Sequence, residues 1–423
     1  MQTLTSAEHC VRSRETRLVV QCARAFLSGG EDGCLQAALA PPIDQPIDWA
    51  AVERKADTHS MMPVVAYVLK QHGGNLVPQG VSERLQKRLR LTAQSNLVLL
   101  GEWCRILQAF ETAGISVISL KGPALALLAY GNIALREFAD LDLLIQPDEV
   151  QKAHDVLLRE GYWLRYPLPA NTDAGFRRSR NCQLDFVNQR GTFIDLHWGA
   201  LHEMFSFQLP VDQLFKSAQV EHHEGISFLT LSPEHSALYL CAHGTKHCWL
   251  NLRWLCDLAC HVQAAQKLDW ALCIRSAEAA NCDLVLTHSL LLAEQVLGLE
   301  MPPLIRNYCE GAKALALADA ALSLLFREDG DLGYREALRY HLAFAKGWRD
   351  RTHLVFERLF VPDEQDWQQI RLPQSLHMLY YTVRPVRFIF GHLSKGTLES
   401  RVEDTLAKNP IGDNPDQTRG NPG

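Results

Sequence analysis

The chain has no excess of positive charge, no closely paired cysteines and no apolar run of membrane-spanning length, and each absence narrows what it does. With 42 Lys and Arg against 48 Asp and Glu, its formal net charge is −6. That balance argues against an extensive nucleic-acid surface, because neutralising many phosphates needs a basic face. Two local basic clusters, Lys87/Arg88/Arg90 and Arg177/Arg178/Arg180, read as solvated charged faces. The 12 cysteines include no C-x-x-C pair, so they read as reduced, mostly buried thiols rather than a disulfide framework. Cys256 and Cys260 lie one helical turn apart beside Cys248 and His261, but a structural zinc site draws on two tight pairs and the second is missing. Residues 1–6 show no basic segment leading into an apolar run, and no stretch approaches the roughly 20 apolar residues that cross a bilayer. The expected location is cytoplasmic, with no membrane partner; composition leaves the oligomeric state open.

At 423 residues, 47% hydrophobic and 21% charged, the chain can bury a sizeable core divided over two or three lobes. Apolar residues at helical spacing predict helices through residues 14–110, the longest from Val81 to Ala113. An α/β unit follows. Its parts are a strand at Ile115–Leu120, a Gly122-Pro123 turn opening a helix to Tyr130, and a strand from Asp140. A helix from Gln146 to Glu160, stopped by Gly161, leads to a hairpin over 181–198 and a strand pair within Gln219–Leu231. Ser232-Pro233-Glu234 then starts a second helical region, with helices near Asp269–Leu297 and Leu315–Phe326 and more beyond Gly333. The class is α+β: a small mixed sheet with flanking helices at 111–231, between helical regions at 1–110 and 232–400. The Pro-, Gly-, Asn- and Asp-rich end at 401–423 reads as a disordered tail.

Chemistry concentrates in that middle unit. Alternate side chains of a strand share a face, so Asp140 and Asp142 project together while Leu141 and Leu143 pack the other way. Paired hard oxygen donors suit magnesium, or manganese in its place, and a third carboxylate on a neighbouring strand is needed to hold cations and position an attacking oxygen. Asp195, within the apolar Ile194–Trp198 strand, is that candidate, and Asp185 competes with it. A buried carboxylate of this kind needs a metal or a cation beside it. Lys121 and Gly122, at the start of the turn, are placed to meet phosphate oxygens, and Arg136 either pairs with Asp140 or Glu137 or holds the triphosphate. His197 orients a ligand or packs on Trp198. His243 and His247 stand at i, i+4, a spacing used by metal ligands, but no Glu follows the first His, which excludes the zinc-protease motif. Arg253 and Asp257, also at i, i+4, read as a helix-stabilising pair.

Taken in order, Leu120-Lys121-Gly122, Tyr130-Gly131, Arg136, Asp140-x-Asp142, Ile194–Trp198 and Leu231-Ser232-Pro233-Glu234 leading to His243 and His247 resemble the DNA polymerase β-type nucleotidyltransferases. Within them the likeness is to the uncharacterised, type-5 branch, and it runs from about Asp48 to Arg387. The resemblance implies a polymerase-β-like core and transfer of a nucleoside monophosphate from a nucleoside triphosphate such as ATP to an acceptor hydroxyl or phosphate, with pyrophosphate released. It implies Asp140, Asp142 and Asp195 as magnesium ligands and catalytic groups, and Lys121, Gly122 and Arg136 as nucleotide contacts. His243 and His247, in the pattern Leu240-Cys241-Ala242-His243-x-x-Lys246-His247, would bring the helical lobe onto nucleotide or acceptor, with His197 a further contact. The chain departs from the wider superfamily in carrying Gly122-Pro123 where Gly-Ser or Gly-Gly is usual, so a serine contact to phosphate is missing. The acceptor is a small molecule, a protein or an RNA. The alternatives are a toxin-like enzyme modifying RNA and a non-catalytic module that binds a nucleotide or protein.

Overall fold

The computed structural model of the chain describes residues 13–30, 33–40, 46–165, 182–265, 268–327, 332–362, 370 and 372–393. The arginine cluster at 177–180 and the tail expected from 401 lie outside the described residues.

The first helices are α1 (Arg14–Leu27), α2 (Cys34–Leu39), α3 (Trp49–Thr58), α4 (Met62–His72) and α5 (Gln79–Thr112). Ser13 and Asp48 start α1 and α3 by accepting the backbone N–H of Thr16 and Ala51, which satisfies amides that have no partner inside the helix. At 34 residues, α5 extends for about 50 Å. Its Trp103 indole donates to Ser119 Oγ at 3.0 Å and its Asn96 amide donates to the carbonyls of Ile133 and Arg136. The helix is therefore a spine to which two segments bordering the site are fastened.

The middle segment runs β1 (Ile118–Ser119), α6 (Pro123–Tyr130), β2 (Asp140–Leu144), α7 (Val150–Arg159), β3 (Tyr162–Leu164), β4 (Gln183–Asn188), β5 (Phe193–His197), α8 (Val211–Ser217), β6 (Gln219–His223) and β7 (Ile226–Thr230). These strands form one seven-stranded mixed sheet in the order β3-β4-β5-β2-β1-β7-β6. The strand expected over Ile115–Leu120 contracts to two residues. Its pairing partners meet it only there, with Ile118 opposite Leu144 on one side and Leu229 on the other, while Leu120 N–H still reaches the Asp142 carbonyl at 3.1 Å.

The last segment is helical: α9 (Pro233–Lys246), α10 (Leu252–Ala264), α11 (Trp270–Ala279), α12 (Asp283–Leu297), α13 (Pro303–Tyr308), α14 (Ala312–Leu325), α15 (Tyr334–Leu342), α16 (Trp348–Phe360) and α17 (Tyr380–Leu393). The helical stretch read at Asp269–Leu297 is divided because Asn281 adopts φ 55°, a left-handed conformation that ends α11. Among the described residues no helix is long and apolar enough to cross a membrane.

Alternation along the strands sorts the apolar residues into two cores. Leu141, Leu143, Ile145, Leu184, Phe186, Ile194 and Leu196 pack against Trp103, Ile106 and Phe110 of α5 and Val156 and Leu157 of α7. The opposite side faces a second core in which α1 and α4 join α9, α10, α12 and α14. The polar positions of β2, β4 and β5 therefore look into the space between sheet and C-terminal helices.

The turn from α9 to α10 is held unusually. Cys248 and Trp249 both take φ 54°, which costs a residue with a side chain about 1 kcal/mol or more. Burial compensates: Trp249 is fully enclosed, donates its indole N–H to His288 Nε2 at 3.2 Å, and lies flat over Gly244. A Cβ at Gly244 would stand 2.5 Å from both Cζ2 and Cζ3 of that ring. Gly244→Ala is expected to destabilise the protein by about 1–3 kcal/mol, the usual cost of overpacking a filled core, measured by urea unfolding. An unchanged midpoint would mean that Trp249 is free to move.

Candidate active site

Register places four carboxylates on one face of the sheet. Asp142 is directly opposite Asp195 across β2 and β5, and Asp195 is directly opposite Asp185 across β5 and β4. Asp140 lies two residues before Asp142 on the same face. The expected pair and its third partner are thus brought together, and the competing candidate Asp185 completes the row. Gln183 Nε2 donates to Asp185 Oδ1 at 2.6 Å and to Asp195 Oδ2 at 3.0 Å, holding those two at the end of β4.

Such crowding is costly to ionise. Burial, then the charges of Asp185, Asp142 and Asp140, push the Asp195 carboxyl up to about 9, and burial with the Asp142 charge raises Asp140 as well. Asp142 goes the other way. Burial opposes its ionisation, but Lys121 Nζ at 3.1 Å and His197 Nε2 at 3.3 Å from Oδ1 outweigh that and hold it below the usual carboxylate range. The same Asp142 charge, against the effect of burial, keeps the Lys121 ammonium above the ordinary lysine range.

A divalent cation fits this donor set. One ligand atom each from Asp142, Asp195 and His197 lie within 4.8 Å of one another, and the surplus negative charge beside them is what a cation would relieve. His197 therefore faces the carboxylates rather than simply packing on Trp198. Asp140 shares the face and lines the cavity but stands outside this closest grouping.

Gly122 explains how Lys121 reaches Asp142. It takes φ +60°, and a Cβ there would meet the Asp140 carbonyl at 3.3 Å, so glycine allows the turn to lie tightly over β2. Arg136 is placed differently from either partner expected for it. Its Nε and Nη2 donate to Asp257 at 2.8 and 2.9 Å, Tyr130 Oη–H adds a bond of 2.7 Å to the same carboxylate, and Arg136 and Asp257 are 4% and 1% exposed. The Arg253–Asp257 helix pair is accordingly not formed. Asp257 points into the buried interface where Arg136 offers a two-pronged partner, whereas Arg253 turns to the Glu137 carbonyl, 2.7 Å from Nη1.

The cavity that these groups line has a volume of about 590 Å³, and its far wall comes from α9 and α10. Tyr239, His243 and Lys246 share one face of α9, His247 caps its end, and Arg253 and Trp254 lie at the start of α10. The rings form a cluster: His243 to His247 centroids are 4.7 Å apart, and His247 to Trp254 centroids 4.9 Å. Burial, then the charge of Lys121 for His243 and of Lys246 for His247, pushes both imidazoles well below their ordinary range, so they are neutral aromatic groups near pH 7. Tyr239, Lys246, Arg253 and Trp254 were not among the sequence candidates. The available signal was the spacing 239, 243, 246, 247, which is one helical stripe. Cys256 and Cys260 lie 3.7 Å apart with both sulfurs buried. Among the described residues they join no metal-ligand cluster.

A family described as an uncharacterised nucleotidyltransferase matches residues 45–298, which takes in the whole sheet and both helices of the far wall and stops short of the Arg387 limit of the sequence likeness. No curated protein and no solved structure matches the chain.

The raised Asp195 carboxyl has a consequence for stability. Between its ordinary value of 3.8 and about 9, the folded state keeps a proton that the unfolded state has released, so this group's contribution to stability falls as pH rises. The slope is at most about 1.4 kcal/mol per pH unit. Chemical denaturation of metal-free protein from pH 7 to 9 should show a steeper loss of stability for the wild type than for Asp195→Asn. Parallel curves would show that Asp195 is already ionised at neutral pH.

Proposed function

We propose nucleotidyl transfer for this chain, which belongs to the uncharacterised nucleotidyltransferase family. The observation that carries the proposal is the in-register row of Asp142, Asp195 and Asp185, with Asp140 beside it, facing a cavity walled by cations and aromatic rings. The sheet with α6 and α7 would be a polymerase-β-like core at 111–231, framed by the helical regions before and after it. In the reaction, an acceptor oxygen attacks the α-phosphorus of a nucleoside triphosphate, the new P–O bond forms, the bond to the bridging β-oxygen breaks, and pyrophosphate leaves.

A bound magnesium ion, or manganese in its place, would supply positive charge to the triphosphate oxygens and lower the pKa of the acceptor. Asp140 and Asp142 would hold it, with Asp195 completing the ligand set and His197 steadying Asp142. Asp195, ionised once a cation lies beside it, would take the acceptor's proton. Lys121 and Gly122 would border the phosphates, Lys121 by charge and Gly122 by letting the backbone approach. Arg136, matched by Asp257, would add to the local potential and hold the β2 approach in place. His243 and His247, neutral and clustered with Trp254, would give the base or the acceptor an aromatic surface. No nucleophilic side chain is required, because positioning and charge neutralisation carry phosphoryl-group chemistry.

The test is turnover of labelled ATP, GTP, CTP and UTP with magnesium, following label into protein, RNA or a metabolite extract. Transfer should fall by roughly a hundredfold or more in Asp142→Asn and in Asp195→Asn, and vanish in Asp140→Asn/Asp142→Asn. The labelled product would identify the acceptor. Failure of every nucleotide to bind with magnesium would reject nucleotidyl transfer and favour a partner-binding module.

A further inference from the structure

We infer that the triphosphate is gripped chiefly from the helical wall, by Lys246 at the end of α9 and Arg253 at the start of α10, rather than by the cations on the sheet side. The inference rests on the nucleotidyl-transfer proposal and names the polyphosphate subsite of the same cavity.

The argument is one of charge allocation. A cation already matched by a buried carboxylate loses that partner when it turns to a phosphate, whereas an unmatched cation gains one. Lys121 is matched, with Asp142 at 3.1 Å. Arg136 is matched by both oxygens of Asp257. Lys246 lines the cavity and forms no ion pair or side-chain hydrogen bond among the described residues. Arg253 spends Nη1 on the Glu137 carbonyl, and its Nε is buried without any hydrogen-bond partner. A buried guanidinium N–H left unsatisfied is an unusual expense, and it marks Arg253, which lines the cavity, as a cation without a carboxylate partner among the described residues.

The chemical types also suit the ligand. Lysine gives a compact charge that tolerates several phosphate orientations, and arginine gives a planar set of donors that fixes one. The two residues flank the turn that Trp249 locks against Gly244, so their spacing is set by a rigid part of the fold. On the opposite wall, the carboxylates would hold a divalent cation, which would offset the charge of the phosphates. The ligand class is therefore a linear polyphosphate, as in a nucleoside triphosphate, held between cations above and carboxylates below. The competing explanation is that Lys246 and Arg253 simply balance the charge of the four carboxylates.

Calorimetric titration of the full chain with inorganic tripolyphosphate, with and without magnesium, separates these explanations. Lys246→Met and Arg253→Met are each expected to weaken binding at least tenfold, Lys246→Arg to restore most of it, and Lys121→Met, on the sheet side, to weaken it by a smaller factor than either. Lys246→Gln is a second variant should Lys246→Met not fold, and thermal unfolding checks every variant. Tripolyphosphate affinity equal to wild type in a folded Lys246 and a folded Arg253 variant would overturn the inference, as would a wild type that binds no tripolyphosphate. Manganese titration without polyphosphate reads the carboxylate row separately. If manganese binds while tripolyphosphate ignores both cations, only the subsite assignment falls. If manganese also fails to bind, the nucleotidyl-transfer proposal falls with it.

Discussion

Three strands in strict register bring the carboxyl groups of Asp185, Asp195 and Asp142 side by side on a half-buried face, and this concentration of like charge governs what surrounds it. Each such group would be expensive alone, and together they are more so. The fold answers with Lys121 and His197 at Asp142, a proton retained on Asp195, and a shared amide from Gln183. None of these fully neutralises the row. A cluster that is maintained despite its cost, open to a cavity rather than sealed in the core, has the character of a site held ready for a cation.

The same accounting orders the rest of the molecule. Arg136 is removed from the cavity's free charge by Asp257, which also binds Tyr130. Removing either member of such a buried pair typically costs about 3–5 kcal/mol, so this contact works as a fastening between the approach to β2 and helix α10. The spine helix α5 makes a second fastening through Asn96 and Trp103. Sheet and C-terminal helices are thus tied at the edges of the cavity. Opposite charges can then face each other across it without collapsing into direct pairs.

Much of this was legible beforehand. The long helix, the hairpin, the helix begun by Ser232-Pro233 and the shared face of Asp140 and Asp142 follow from period, turn residues and capping, all of which are local. Legibility failed where a partner far along the chain decided the outcome. Arg136 and Arg253 each had a plausible neighbour in sequence, yet Asp257 took the first and the Glu137 carbonyl took the second. Asp185 was known to be close to Asp195 through the hairpin, but its direct opposition depends on the register of that hairpin. Lys246 appeared only as part of the pattern around His243 and His247 and received no role of its own, because its place on the cavity wall depends on how α9 packs over the sheet.

What the sequence determined by itself was the set of elements and the kind of chemistry: an α+β chain whose acidic strands alternate with apolar residues, because strand period and side-chain type are properties of neighbouring residues. Only the tertiary structure decided which charges are spent and which stay available. That allocation depends on distances between α9, α10 and the sheet, and on burial, which makes a buried carboxylate compete for the best-oriented cation in space rather than the nearest in sequence.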